Sequence, residues 1–206
     1  MYAGLILAAG QARRFGSDKR QALLPNGLTM LEHVIGQYQG ALDTLWVVLP
    51  PHDDWGQTVC HRLGAIAVSC DLAAQGMGHS LAAGAQAVLS SERGPDWQGL
   101  LIGLADMPGV SSHHVETVLC ALRAEIDQKG EQALVLPMYE GQAGHPRGIG
   151  RGLLPHLTTL QGDAGARQAF DWSQARRVDM KDQGACLDID MPQDLTNWSG
   201  FARSPH

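Results

Sequence analysis

The 206-residue sequence has few cysteines, few aromatic residues and no long apolar run. Its four cysteines stand far apart, without the short spacing of a zinc site or a redox dithiol, so we expect them to be small buried side chains. No stretch approaches the roughly 20 apolar residues that a membrane helix needs. The N-terminus shows no secretory signal pattern. These absences predict a cytoplasmic protein with no membrane-spanning segment.

Excess charge of either sign is also missing, because the formal net charge at pH 7 is only −6. A chain that binds nucleic acid or an anionic membrane surface usually carries a basic patch large enough to shift its overall balance. We therefore expect neither partner. Any site for an anionic ligand must be local, built from a few basic side chains and backbone N–H groups.

Short apolar runs alternate along the chain with longer amphipathic segments. The runs are 2–8, 45–49, 65–69, 99–105 and 133–137. Helices are predicted over 29–39, 78–90 and 112–127. The runs are continuously apolar, as in strands covered on both faces, and the alternation favours right-handed crossovers. We predict a three-layer α/β fold with a mostly parallel, Rossmann-like sheet, in a single domain over 1–206. The glycine-rich region 139–172 breaks the pattern and is predicted to be an insertion beside the site.

The first apolar run leads into a loop of small residues followed by two cations. Ligands of open parallel sheets bind beyond the carboxyl ends of the strands, where small residues let the backbone approach a phosphate chain. Arg14 offers two parallel donors to phosphate oxygens, and Lys19 offers a compact charge. The loop matches neither G-x-G-x-x-G nor the Walker motif, which argues against a dehydrogenase and a P-loop kinase. The predicted nucleotide-binding residues of this loop are Leu7, Ala8, Ala9 and Gly10.

Two acidic segments are candidates for a metal site. Asp106 is the first acid after the run 99–105, which places it at the carboxyl edge of the sheet, although an aspartate there can also be a helix N-cap. Mg²⁺ prefers oxygen ligands and typically takes one or two carboxylates together with substrate phosphates. Asp188 and Asp190 both follow a short apolar stretch near the C-terminus, and either is a candidate for the second ligand.

A glycine pair precedes the helix predicted over 78–90. Gly76 and Gly78 suit a backbone that passes close to a nucleotide base or ribose, with Ser80 facing the ligand. The alternative is a plain helix start with Ser80 exposed.

Six segments in this order resemble the nucleotidyltransferases with a MobA-like fold, and most of all the molybdenum cofactor cytidylyltransferases. They are Leu7–Gly10 with Arg14-Phe15-Gly16 and Lys19, Gly76–Leu81, Leu104–Pro108, Gly144-His145-Pro146, Gly162–Arg167 and Asp188–Leu195. The resemblance covers nearly the whole chain. Six motifs in family order are far more specific than any one of them.

The resemblance implies Mg²⁺-dependent transfer of CMP from CTP to molybdopterin, which gives the cytosine dinucleotide form of the cofactor and pyrophosphate. It assigns catalysis to Arg14, Lys19 and Asp106, with Asp106 and Asp190 holding the metal. The double alanine at positions 8 and 9 favours cytosine, since the guanylyl-transferring relatives look more like L-A-G-G.

The same resemblance implies an acceptor side and protein partners. It assigns acceptor binding to His145, Arg147 and Arg167, and it suggests a molybdenum hydroxylase or its maturation chaperone as a partner. Two alternatives remain open at this point. One is a transferase that uses another nucleotide, such as GTP, or a sugar or alcohol phosphate. The other is a non-catalytic chaperone that binds and hands over a cofactor.

Overall fold

The computed structural model describes residues 1–10 and 15–198. The strands are β1 (Tyr2–Leu7), β2 (Thr44–Leu49), β3 (Ile66–Ser69), β4 (Gly99–Leu104), β5 (Leu134–Tyr139), β6 (Gln142–Ala143), β7 (Arg147–Gly150) and β8 (Arg176–Asp179). The helices are α1 (Met30–Gln39), α2 (Asp54–Arg62), α3 (Met77–Leu89), α4 (Ser112–Lys129), α5 (Leu154–Leu157), α6 (Ala166–Ala169) and α7 (Pro192–Trp198). The bounds of the predicted strands and helices agree with these to within about two residues, as is usual for element ends.

One sheet runs through the molecule in the order β3-β2-β1-β4-β7-β5-β6, and β8 pairs with β5. The neighbours β3, β2, β1 and β4 are parallel, whereas β7 is antiparallel to both β4 and β5. Because β1 and β4 pair in register from Tyr2 with Gly99 to Leu7 with Leu104, their carboxyl ends finish at the same edge. The mostly parallel sheet predicted from the sequence is therefore confirmed.

The side chains of β1 explain why its sequence is apolar throughout. Tyr2 and Ile6 enter one core cluster together with apolar residues of α1, α2 and α4. Leu5 and Leu7 enter a second cluster on the opposite face, packed with residues of α3 and α5. Full burial of such a side chain contributes about 1.5–3 kcal/mol. Helices cover both faces of the sheet, which confirms the three-layer α/β fold.

The start of α1 follows from its sequence. The hydroxyl of Thr29 accepts from the backbone N–H of Glu32, and the Glu32 carboxylate accepts from the N–H of Thr29 at 2.7 Å, which completes a capping box. Arg62 of α2 also pairs with the Glu32 carboxylate. The helix buries Val34, Ile35 and Tyr38 against the sheet.

The region 139–172 is more closely tied to the sheet than the sequence suggests. Its first half forms β6 and β7, and β7 lies between β4 and β5. The sequence pattern misses β7 because Arg147–Gly150 has two glycines in four residues and no apolar alternation. That the region 139–172 lies beside an acceptor site stays a prediction. The single domain over 1–206 also stays a prediction, since 199–206 lie outside the described residues. Within the described chain, every helix is too short or too polar to cross a bilayer.

Candidate active site

A cavity of about 470 Å³ opens beyond the carboxyl ends of β1 and β4. All four residues of the loop at 7–10 line it, as do Lys19, Gly76, Ser80 and Asp106. This is the edge at which parallel sheets bind their ligands. The structure thus brings most of the predicted nucleotide-site residues to one cavity. Arg14 lies outside the described residues, so its catalytic role stays a prediction.

Lys19 lies at the centre of the site. Its ammonium group donates to Oδ2 of Asp106 at 2.7 Å and to the carbonyl oxygen of Ile189 at 3.0 Å, and Oδ1 of Asp190 lies 3.4 Å away. The N–H of Ile189 donates to the backbone carbonyl of Asp106 at 2.8 Å, which ties the C-terminal segment to the end of β4. Lys19, Asp106 and Asp190, which are far apart in the sequence, therefore meet at one charged centre.

The two carboxylates around Lys19 suit a divalent cation. Both already lie within reach of one positive charge, and their oxygens are the ligands that Mg²⁺ prefers. Over 1–10 and 15–198 no group of three or more His, Cys, Asp or Glu side chains is arranged to hold a metal. A cation here would consequently depend on Asp106 and Asp190 together with phosphate oxygens and water, which is the usual Mg²⁺ arrangement in phosphoryl-transfer sites.

Asp188 and Asp190 are placed differently around this centre. Burial, together with the negative charges of Asp190 and Asp106, raises the pKa of the Asp188 carboxyl above its ordinary value, and Lys19 offsets part of that shift. Asp190, by contrast, contacts the Lys19 ammonium directly. The contact favours Asp190 as the second ligand, and the assignment stays a prediction.

Asp194 fixes the turn that presents Asp190. Its carboxylate accepts from the backbone N–H groups of Asp190 at 2.9 Å and of Met191 at 2.8 Å. Asp194 also lies in the first turn of α7, where the helix dipole favours an acidic side chain. Its second role, as the acceptor that shapes the turn before α7, requires the folded geometry.

Arg20 is a site residue that the sequence analysis misses. It is only 9% exposed, and its guanidinium is shared between Asp18, at 2.8 and 2.6 Å, and Asp53. Asp53 also caps α2 by accepting from the N–H of Gly56 at 2.9 Å. Arg20 lines the cavity, but its donors are taken by carboxylates, so it anchors the turn that carries Lys19 rather than offering free donors to phosphate.

Gly76, which caps α3, and Gly78, in its first turn, pack mainly against protein. The N–H of Gly78 donates to the carbonyl of Gly162 at 2.8 Å, and a Cβ on Gly78 would lie 2.7 Å from the carbonyl oxygen of Gln161. Gly76 has φ +129° and faces the same loop while also lining the cavity. The sequence predicts that the backbone at Gly78 passes close to a nucleotide base, but it contacts residues 161–162 instead. Ser80 is buried and lines the cavity, whereas the alternative of a plain helix start predicts an exposed side chain.

A second cavity of about 240 Å³ adjoins the first. His145, Arg147 and Arg167, the three predicted acceptor-side residues, all line it. The two cavities share Leu7, Met77, Leu104 and Asp163 in their walls. Asp163 is exposed and touches both, and the sequence analysis assigns it no role. The two cavities are therefore close enough for ligands bound in them to be neighbours.

His145 is neutral in this environment. Its Nδ1 lies 3.2 Å from the carbonyl oxygen of Ile102, and because a carbonyl only accepts, Nδ1 carries the hydrogen. Burial, followed by the positive charge of Arg147, lowers the pKa of His145 to about 4. Near neutral pH the imidazole is uncharged, and Nε2 keeps a lone pair that can accept a hydrogen bond.

The fold and the site together define an α/β protein with a lysine and two carboxylates beside a cavity at the carboxyl edge of its parallel strands. The sequence profile of the MobA-like NTP transferase domain matches residues 4–178, and the chain belongs to that family. It is a nucleotidyltransferase. The family resemblance read from the sequence is confirmed.

Known proteins resemble the chain over almost its full length. It is 29% identical to nicotine blue oxidoreductase of Paenarthrobacter nicotinovorans, over 93% of each chain. It is 28% identical to the probable molybdenum cofactor guanylyltransferase of Mycobacterium ulcerans, over 94% of this chain and 90% of the relative. The crystal structure of Rv0371c from Mycobacterium tuberculosis in complex with manganese superposes with a TM-score of 0.68 at 22% identity, covering 96% of this chain and 97% of that one. The last similarity establishes the fold alone.

Proposed function

We propose that this protein transfers CMP from CTP to a molybdopterin-type acceptor in a Mg²⁺-dependent reaction that releases pyrophosphate. The observation that carries the proposal is the contact of the Lys19 ammonium with Asp106 at 2.7 Å and with Asp190, at the mouth of a cavity lined by the loop 7–10. The relative named as a probable molybdenum cofactor guanylyltransferase supports the acceptor class. We place the reaction in the cytoplasm, with a molybdenum hydroxylase or its maturation chaperone as recipient of the product.

The chemistry is an in-line displacement at the α-phosphorus of the nucleotide. An oxygen of the acceptor phosphate forms a bond to the α-phosphorus, and the bond from that phosphorus to the bridging oxygen breaks, so the electron pair leaves with pyrophosphate. The acceptor phosphate is already ionised near neutral pH, so no strong general base is needed. Lys19, with Arg14 as a predicted second cation, stabilises the charge that grows on the departing phosphates.

Asp106 and Asp190 are the residues proposed to hold the metal. A bound Mg²⁺ supplies charge neutralisation and orientation of the phosphates. With a divalent ion held by Asp106 and Asp190, the Lys19 ammonium group would be available to the phosphate chain. The manganese complex of the structural relative is consistent with use of a divalent ion.

The preference for CTP rests on Ala9. Ala9 is only 4% exposed and lines the cavity, and the proposal is that its methyl group narrows the space for a purine. Discrimination by one methyl group is worth about 1–3 kcal/mol. The proposed preference for CTP over GTP therefore depends on a small difference in binding energy.

The test is a pyrophosphate-release assay with each of the four ribonucleoside triphosphates, with and without purified molybdopterin and Mg²⁺. We expect release that requires molybdopterin and Mg²⁺ and that is fastest with CTP. Fastest release with GTP would correct the nucleotide, and release with a sugar phosphate but not molybdopterin would correct the acceptor. Molybdopterin binding without any release would favour the chaperone alternative.

A second assay tests for the alternative activity that the name of the relative nicotine blue oxidoreductase indicates. Oxidation of NADH or NADPH is followed in the absence of nucleoside triphosphate, with nicotine blue as electron acceptor. We expect no oxidation above the rate without protein. Turnover in this assay, combined with no pyrophosphate release, would overturn the proposed reaction.

A further inference from the structure

The second cavity contains a buried arginine that forms no ion pair with any of the described residues. Arg147 of β7 is 8% exposed, and its Nε is buried with no hydrogen-bond partner. Among the described residues no carboxylate lies within ion-pair distance of it. Buried charges in proteins are normally paired, since an unpaired one loses its hydration without compensation. This guanidinium is therefore arranged for a partner that residues 1–10 and 15–198 do not supply.

A second cation faces the same cavity. Burial and then the positive charge of Arg167 lower the pKa of Arg147, although an arginine stays protonated at neutral pH. Asp163 lies in the wall shared with the first cavity, but the ion pairs of the described residues include none between it and Arg147 or Arg167. His145 is neutral and adds no charge. The cavity thus has an excess of positive charge, which favours a ligand that carries two negative charges over a neutral one.

Trp172 holds the guanidinium of Arg147 in place. The guanidinium lies 5.1 Å from the centre of the indole ring, and the indole N–H donates to the carbonyl of Ala166 at 2.8 Å. Phe170 packs edge-on against Trp172 with 5.9 Å between ring centres. A guanidinium over an aromatic ring can still use the N–H donors in its own plane to bind a ligand.

We propose that the second cavity binds a phosphate dianion, with Arg147 as its main donor, Arg167 as its second cation and Trp172 as the residue that positions Arg147. The bound group is the phosphomonoester of the acceptor. Its identity as the acceptor rests on the proposed function, whereas the anion site itself does not. The wall shared with the first cavity places this phosphate next to the nucleotide.

Direct binding tests the site without turnover. Inorganic phosphate is titrated into the metal-free protein by calorimetry at constant ionic strength, for the wild type and for Arg147→Met and Arg147→Lys. The matched control is Arg123→Met, because Arg123 also lies over an aromatic ring, Tyr2 at 5.0 Å, but is exposed on α4 away from both cavities. We expect Arg147→Met to weaken phosphate binding about tenfold to a hundredfold, Arg147→Lys to weaken it less, and Arg123→Met to leave it unchanged.

Thermal denaturation provides the check on folding. Phosphate should raise the melting temperature of the wild type and of Arg123→Met but not of Arg147→Met. Without phosphate, Arg147→Met should melt no lower than the wild type, because the substitution removes an uncompensated buried charge. Trp172→Phe should weaken phosphate binding several-fold, and the double variant with Arg147→Met should lose little more than Arg147→Met alone.

The outcomes separate this inference from the proposed reaction. Phosphate binding that is equal in the wild type and Arg147→Met, or absent from the wild type, would overturn the anion site. Inhibition by phosphate that competes with molybdopterin supports its assignment to the acceptor, whereas competition with CTP alone overturns that assignment. If phosphate binding depends on Arg147 but no nucleotide yields pyrophosphate, the anion site stands and the proposed reaction fails.

Discussion

The loop Leu7–Gly10 differs from the L-A-G-G pattern only at position 9, where this chain has alanine instead of glycine. We predict that Ala9→Gly raises kcat/KM for GTP relative to CTP by about tenfold to a hundredfold, because the glycine widens the cavity wall for a purine. Steady-state pyrophosphate release with both nucleotides measures the ratio. Ala67→Gly, in β3 and outside the cavity lining, is the control and should leave the ratio unchanged. An unchanged ratio in Ala9→Gly would remove the argument for cytosine.

Individual residues also show where the sequence is informative and where it is not. Lys19 and Asp106 stand out because each follows the end of an apolar run, where the sheet edge must be. Arg20 does not stand out, because its partner Asp53 is 33 residues away in the sequence and only the fold brings the two together. Trp172 does not stand out either, because its contact with Arg147 also depends on the fold. Long-range pairing of charges depends on the fold and leaves no spacing pattern in the sequence.

At the scale of elements, α2 anchors the turn that carries Lys19 through the pair between Asp53 and Arg20. We predict that Asp53→Asn lowers stability by about 1–3 kcal/mol and kcat/KM for the nucleotide by about tenfold. Asparagine still caps the helix, so the loss belongs to the ion pair. Urea unfolding and pyrophosphate release at 25 °C are the measurements.

Asp54→Asn is the matched control for this variant. Asp54 is the exposed neighbour at the first position of α2, and its substitution should change stability by no more than about 0.5 kcal/mol. If Asp53→Asn were as active as Asp54→Asn, the turn would not need the anchor.

The capping box of α1 predicts a dependence of stability on pH. Hydrogen bonds from Thr29, followed by those from Arg62, lower the pKa of Glu32 to about 2, below the value of about 4.3 for an unfolded glutamate. The native state therefore binds this proton less readily, and the stabilisation is present above about pH 4.3 and is lost as the pH falls towards 2. We predict that Glu32→Gln destabilises the protein at pH 6 and that the difference from the wild type shrinks by pH 3.

Urea midpoints at the two pH values measure this difference. Glu116→Gln, an exposed position on α4, is the control and should behave as the wild type at both. A deficit of Glu32→Gln that is the same at pH 6 and pH 3 would contradict the assignment.

On the scale of the whole molecule, strands β1 to β5 are predictable from the sequence, and the shorter strands β6, β7 and β8 are not. Strands β1, β2 and β4 are buried on both faces, so their sequences are continuous apolar runs that stand out from their surroundings. Strand β7 is short and glycine-rich, and it pairs through long-range contacts with β4 and β5. The sequence therefore predicts the nucleotide side in detail and the acceptor side mainly through family resemblance.

The fold brings Lys19, Asp106 and Asp190 together at one charged centre, and a variant of Asp106 shows whether catalysis depends on it. Pyrophosphate release is measured at saturating CTP, molybdopterin and Mg²⁺ for the wild type, Asp106→Asn and, as a control, Asp127→Asn, an exposed acid on α4. Circular dichroism confirms the fold of each. We predict that Asp106→Asn loses at least about a hundredfold in kcat while Asp127→Asn keeps the wild-type rate. Turnover of folded Asp106→Asn at the wild-type rate would contradict the account.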